Sequence, residues 1–533
     1  MALPFESNFK NVFMVSPFRI SPFQSIYNLS PIVAPDSVTT AFNTAATIAV
    51  LANDTDPDGD TLSISSVTNG TNGTVLISGT NAVYTPNAGF VGSDSFTYMA
   101  SDGKGGTATG TVSVTVNPYT INFAALSSLP AEYTFARASS AVYANTSGVI
   151  TSASTNVARF DTNPQTLAAR GLLIEISRTN LQVQSEAFDD ASWLKSGTGT
   201  TVTANTTTAP DGASTADTYT EGSTSSLLVS NTSATVTSGG TYTISCFFKK
   251  ITSNVDWVRV SAGDSSAMTN AVHMYFNINT GTAGTSSVDG TGWTYVANSA
   301  KVEVWPNGWY RCSFSVVTGA TTLRMRVHTA TADTNSSRPD IGSGFGIGTG
   351  FYLWGAQMEA GGYASSYIKT TAASVTRAID NATIASLSSI GFNSSEGTIY
   401  IEFEPNSLSS GNEVPISILN GSSALNAILF VRESGGGGSA FINTTSGTGG
   451  RISGTGSYAS ARKVAIGYKN LDSCLSVNGT NYTNSTYNMP VGLTTLCIGN
   501  QVGSITRPVN GWIKVFKYWP TRLSNSELQA LTT

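Results

Sequence analysis

Apolar and polar side chains alternate with period two along most of this chain. Val112, Val114 and Val116 alternate with Thr111, Ser113 and Thr115. Val272, Met274, Phe276 and Ile278 alternate with His273, Tyr275 and Asn277, and Ile399, Ile401 and Phe403 with Tyr400, Glu402 and Glu404. Successive side chains of a strand point to opposite faces, so this spacing predicts half-buried strands. Asn69-Gly70, Asn72-Gly73, Asp102-Gly103 and Asn478-Gly479 mark turns between them. One short terminal helix is expected where Ser524 and Glu527 form an S-x-x-E capping box. A sheet with one apolar face must bury it against another layer, so the fold class that follows is all-β, a tandem series of β-sandwiches.

Residues 1–30 break the pattern. Phe5, Phe9, Phe13, Phe18 and Phe23 recur with Pro4, Pro17 and Pro22 among them. The prolines prevent one continuous helix. Aromatic residues without a core of their own need a partner surface. The segment is therefore expected to be an irregular docking arm that orders on another protein, with a plain disordered terminus as the alternative.

The length of 533 residues implies about three or four domains. Charged residues are 11% of the chain, against about 25% in ordinary soluble proteins. The outer face is thus expected to be polar and nearly uncharged. With a net charge of -5 and no basic tract, nucleic acid is excluded as a partner. No segment reaches the roughly 18 apolar residues of a spanning helix, so no membrane insertion is expected. The start lacks a basic region followed by an apolar run, which points to retention in the cytoplasm after synthesis. Cys246, Cys312, Cys474 and Cys497 are then expected as reduced, buried thiols.

Three places invite chemistry. Asp54, Asp56, Asp58 and Asp60 crowd four carboxylates around Gly59. A hard cation such as calcium takes several oxygen ligands, and the alternative is a solvated turn. No cofactor is required, and calcium is the one candidate ion. Trp257, Trp293, Tyr295 and Trp305 lie near turns or strand ends, where aromatic rings can stack on the flat faces of sugars. Trp309 and Trp354 are expected in the core. Glu402 and Glu404 share one strand face, which is read as a charged outward face rather than a glycosidase pair. His273 and His328 are expected on solvated strand faces. No nucleophile, zinc or phosphate-loop motif occurs, so no catalytic residue is assigned and the chain is expected not to be an enzyme.

Residues 354–380 carry Trp354, Gly355, Ala356, Gln357 and Glu359, then Ser366, Tyr367, Ile368, Thr370 and Thr371, then Val375, Thr376, Arg377 and Ala378. This series resembles the closing segment of a β-sandwich module of tailed-bacteriophage virion proteins, of jelly-roll, carbohydrate-binding type. The resemblance assigns residues 181–380 to that module. Residues 31–117, with PIVAPDSVTTAF and VGSDSFTYMASDGKGG, resemble a cadherin-like or bacterial Ig-like repeat. Residues 381–533, opened by EGTIYIEFEP and closed by GWIKVFKYWPTRLSNSELQ, resemble a concanavalin-like (laminin-G-like) sandwich. Residues 118–180 are left as a β-rich bridge. These resemblances imply a fiber, spike or decoration protein on the virion surface, assembled in the host cytoplasm. They imply docking to other virion proteins through the arm, weak attachment to host surface polysaccharide, and a homotrimer. A decoration protein that binds no sugar is the alternative, and a polysaccharide depolymerase a more distant one.

Overall fold

The computed structural model describes residues 27–533 except 223–226, 252–254, 266, 331–347, 407–412, 421–422, 434–437, 444–449, 455–462, 486–487 and 501–508. The five phenylalanines of the arm lie outside the described residues, as does most of the glycine tract 435–438. The chain forms two compact units, residues 1–118 and 119–533. Both are built of strands, and the all-β tandem sandwich is the architecture of the molecule.

The first unit is a sandwich of a four-stranded and a three-stranded sheet. Asp36–Thr40 runs parallel to Thr107–Val116, which pairs with Gly92–Ser101, and that strand with Ser63–Val67. The facing sheet holds Ala46–Ile48, Asn81–Pro86 and Gly73–Ser78. Val112, Val114 and Val116 are buried as their alternation requires, against Tyr84, Phe96 and Tyr98. The two tyrosines keep their hydroxyls satisfied inside this core. Tyr84 Oη donates to Asp94 at 2.8 Å and Tyr98 Oη to Asp54 at 2.8 Å.

The second unit departs from the expected domain order. Residues 118–180 do not form a separate bridge. Their strand Tyr119–Asn122 pairs with Gly511–Trp519, and Ala169–Ile174 pairs with the other end of that same strand. Tyr133–Ala136 pairs instead with Asn381–Ile384 in the opposite sheet. The C-terminal sandwich therefore draws strands from both sides of residues 181–380, in one sheet of eight strands and one of seven. The physical reason is edge completion. Gly511–Trp519 has Glu396–Pro405 on one side, and among the described residues its other row of N–H and C=O groups is paired by Tyr119–Asn122 and Ala169–Ile174. Gly171, with φ +101, permits that approach, since a Cβ there would meet the Ile513 carbonyl oxygen at 2.3 Å.

The module of residues 181–380 is thus an insertion. Arg178–Asn180 and Val375–Arg377 pair antiparallel, so the chain leaves the sandwich and returns to it side by side. Two seven-stranded sheets follow, closed on Phe188, Trp193, Phe248, Phe276 and Phe314. Here strict alternation fails. In Ala271–Asn277 every residue but the last is buried, His273 and Tyr275 included. Cys246 and Cys312 face each other across paired strands, and all four cysteines are buried and outside any disulfide.

The terminal helix, Asn525–Thr532, forms with both halves of the capping box in place. It covers Tyr400 and Ala465 with Leu528. Tyr400, expected outward, is 5% exposed, because the helix gives the second face of its strand an apolar cover. Ile399, Ile401 and Phe403 are buried as expected.

Candidate functional site

The insertion meets the sandwich through a buried ionic neck. Arg159 and Arg377 each donate from Nη1 to Glu175 Oε2 at 2.7 Å. Arg159 also bonds Asp380 through Nη2, and Arg137 Nη1 reaches Asp380 Oδ1 at 3.1 Å. Ser366 donates its backbone N–H to Glu175 at 2.8 Å and its hydroxyl at 2.7 Å. Burial raises the Glu175 carboxyl, but Arg377, Arg159 and the Ser366 bonds outweigh it and bring it down to about 2. Planar guanidinium groups suit this role because one group can grip two acceptors at once.

The run of residues 354–380 serves this neck. Gln357 donates to Glu359 at 2.6 Å and accepts from the Ile368 N–H at 2.7 Å. Glu359 holds the Ser365 N–H at 2.9 Å and its hydroxyl at 2.6 Å. Asn180 closes the other side, donating to the Ala356 and Ile368 carbonyls and accepting from the Met358 N–H at 3.0 Å. Gly355, with φ +66, sits where the register against Thr241–Lys250 shifts, a β-bulge that a side chain would strain. Trp354 and Tyr367 pack at 4.5 Å between ring centroids. These residues fasten the module to the sandwich, and Ser365, Ser366 and Tyr367 also line the cleft beside it.

Beside the neck lies a cleft of about 210 Å³, bounded by the hairpin of Ala141–Ala144 and Ile150–Ala153, the loop 163–165 and the strand Lys301–Trp305. Its charges come in pairs. Asp161 accepts from the Ala144 N–H and from Trp512 Nε1, both at 2.7 Å, with Arg170 at 3.9 Å. Burial pushes its carboxyl up to about 6. Glu303 lies 2.9 Å from Lys301 and 3.9 Å from Arg311. Burial works to raise it, yet Lys301, Arg311 and Arg170 bring it down to about 2. Arg170 covers the face of Trp512 at 4.2 Å. Trp305 stands edge-on to Phe247, 5.4 Å between centroids. Aromatic walls, amides and paired charges of this kind suit a hydroxylated ring.

The expected sugar-stacking residues are not brought together here. Trp305 lines the cleft. Trp293, 5% exposed, fills the module core, which absorbs the largest apolar surface available. Tyr295 packs on that core and accepts the Ala300 N–H at 3.3 Å. Trp257 begins the strand Trp257–Gly263, half-buried between Asn277 and Ala330. Asp161, Arg170, Glu303 and Trp512 were not singled out by the sequence. Asp161 and Trp512 are 351 residues apart, and no local motif marks either.

The acidic loop separates into two roles. Asp54 is taken by Tyr98 and by the Ala34 N–H at 2.9 Å, so it is not with the others. Asp56, Asp58 and Asp60 each bring a carboxylate oxygen within 4.8 Å of the rest, and these three could hold a cation. Lys104 already meets Asp60 at 2.5 Å, and Asp56 accepts the Asp58 and Asp60 N–H groups. Glu404 pairs with Lys514 at 2.9 Å, in keeping with a charged strand face. His273 is fully buried between Ser261 at 2.8 Å and Asp289 at 3.0 Å, which corrects its expected solvated position. His328 is half-buried.

Residues 28–115 match the family described as bacterial Ig domain. The search of curated proteins gives no match. Among solved structures, the chain is similar to the CBM40 module of the Ruminococcus gnavus IT-sialidase bound to α2,3-sialyllactose. The identity is 20% and the TM-score 0.23, over 26% of this chain and 83% of that one. It is similar to the NanB sialidase of Streptococcus pneumoniae at 16% identity and TM-score 0.23, over 28% of this chain and 26% of that one. It is also similar to the binding domain of botulinum neurotoxin DC in complex with rat synaptotagmin II, at 14% identity and TM-score 0.23, over 29% of this chain and 40% of that one. Likenesses of this size carry no argument about function.

Proposed function

We propose that this chain is a non-catalytic appendage of a tailed-phage particle that makes weak, multivalent contacts with glycans of the host surface. The observation that carries the binding reading is the cleft between hairpin 141–153 and strand Lys301–Trp305, with its aromatic walls and polar rim. The appendage reading is supported by the resemblance of residues 354–380 to virion modules and by the low charge of the chain. In this reading residues 1–30 dock to other virion proteins and the Ig-like unit acts as a spacer. Three chains present three clefts, and linked weak sites gain from a raised effective concentration.

Two measurements test the proposal. Electron microscopy of whole particles should find this chain on the outer surface with its N-terminal segment against another virion protein. Its absence from particles would overturn the appendage reading. Full-length protein on a glycan array should retain ligands above background, and an array without any would overturn attachment.

A further inference from the structure

We infer that the outward face of the sheet built by Trp257–Gly263, Ala271–Asn277, Thr282–Asp289 and Thr322–Ala330 is a second binding site, one that takes an acidic sugar by its carboxylate or phosphate group. The inference uses none of the residues of the cleft and goes beyond that reading. The inner face of this sheet is apolar: Val258, Val260, Met274, Phe276, Met325 and Val327 lie in the module core. Alternation sends the residues between them to the other side. There the register sets Arg259 opposite Tyr275 and His328, and Ser261 opposite His273 and Arg326. Arg324 stands in the next row, opposite Gly263.

Charge on this face is one-sided. The four strands hold three arginines and a single acid, Asp289. Asp289 lies in the row of Ala271, two rows from Arg259, and is engaged by His273 at 3.0 Å. Arg324 donates from Nη1 to the Ser230 carbonyl at 2.8 Å. Arg259 has no such outlet. It is 3% exposed, and its guanidinium makes no hydrogen bond or ion pair among the described residues. The Tyr275 ring lies beside it at 5.7 Å. Burial lowers its basicity, as it does for a cation taken out of water. A buried charge without a partner is costly, and a bound oxyanion removes that cost. The flat guanidinium fork matches the paired oxygens of a carboxylate or a phosphate. A neutral hydroxyl offers an acceptor but no charge.

Arg326 and His328, beside Arg259, are half-buried, so the face opens next to the guanidinium. Trp257 stands two residues before Arg259 on the same face, about 7 Å along the strand. It too is half-buried. Its ring gives the sugar that carries the acid a flat surface to pack on.

The test uses the full-length protein and saturation-transfer NMR titrations with three probes of one sugar. Methyl glucuronide carries the carboxylate, glucose 6-phosphate the phosphate, and methyl glucoside neither. At least one acidic probe should bind about tenfold more tightly than methyl glucoside, and which one does so tells carboxylate from phosphate. Arg259→Met should remove that preference at a melting temperature equal to or above the parent's, because an unmatched buried charge goes with it. Arg326→Gln, at the half-buried border, should weaken the acidic probe measurably, and Gln165→Ala, at the rim of the cleft, should leave it unchanged. Acidic probes that bind no better than methyl glucoside overturn the inference. So does a preference that survives Arg259→Met and Arg326→Gln, or one lost in Gln165→Ala. A fall in melting temperature on Arg259→Met also overturns it, since the charge would then be matched inside the protein. Neutral ligands retained on the glycan array with neither acidic probe preferred overturn this inference alone and leave glycan attachment standing.

Discussion

His273 is neutral in the folded chain. Burial, with Arg259, Arg326 and His328 near, brings the imidazole down to about 2. A folded pKa below the unfolded value gives stability that is complete above about 6.5 and is lost as pH falls towards 2. The slope is about 1.4 kcal/mol per pH unit for one such group. Asp161, raised by burial to about 6, acts oppositely: its contribution is full below its ordinary value and is lost as pH rises through 6. Urea unfolding of His273→Gln between pH 7 and 5 should therefore show a shallower loss of stability than the parent. An unchanged slope would mean that the imidazole takes up its proton at the same pH folded and unfolded. At the neck, Glu175→Gln removes the carboxylate that Arg159 and Arg377 share. Breaking a buried pair from one side costs about 3–5 kcal/mol. Urea unfolding of the 119–533 unit should show a loss of that size, and a loss near zero would mean that water reaches the neck.

Among the elements, Gly511–Trp519 is the one on which the second unit depends. It holds Glu396–Pro405 along one edge and both Tyr119–Asn122 and Ala169–Ile174 along the other. A fragment of residues 381–533 lacks those edge strands and also Tyr133–Ala136 of the facing sheet. It should express as aggregate or give a collapsed amide NMR spectrum, whereas residues 119–533 should give a dispersed one. A well-folded 381–533 fragment would show that the early strands only decorate the sandwich. The pairing was invisible in the sequence for a simple reason. The short strands at 119–174 look alike whether they pair with neighbours or with partners more than two hundred residues away, since alternation records which face is buried and not which edge is bonded.

At the scale of the molecule, the two compact units divide at Pro118. Each has its own core, Tyr84 and Phe96 in the first and the neck and module cores in the second. Calorimetry of the full chain should resolve two transitions, and removal of residues 1–118 should leave the second at its original temperature within about 2 °C, because independent cores add without coupling. A single transition that shifts on truncation would show one cooperative body.

The sequence by itself determined much of this protein. Alternation at Val112–Val116, the Asn478-Gly479 hairpin and the Ser524–Glu527 cap are local facts, set by side-chain spacing and turn chemistry, and they appear in the structure as read, whereas at Ile399–Phe403 the inward residues are as read and Tyr400 is covered by the terminal helix. The series from Trp354 to Ala378 marked a module by its own residues, but its role as the fastening of an insertion came from Glu175, Arg159 and Arg137, all far upstream. Only the tertiary structure decided that 119–174 belongs to the last sandwich, that Trp293 is core while Trp305 meets open space, and that a cleft exists at all. Its walls include Asp161 and Trp512, which are 351 residues apart. Burial, charge pairing and edge completion are properties of what lies alongside in space, and a chain read in order carries no record of them.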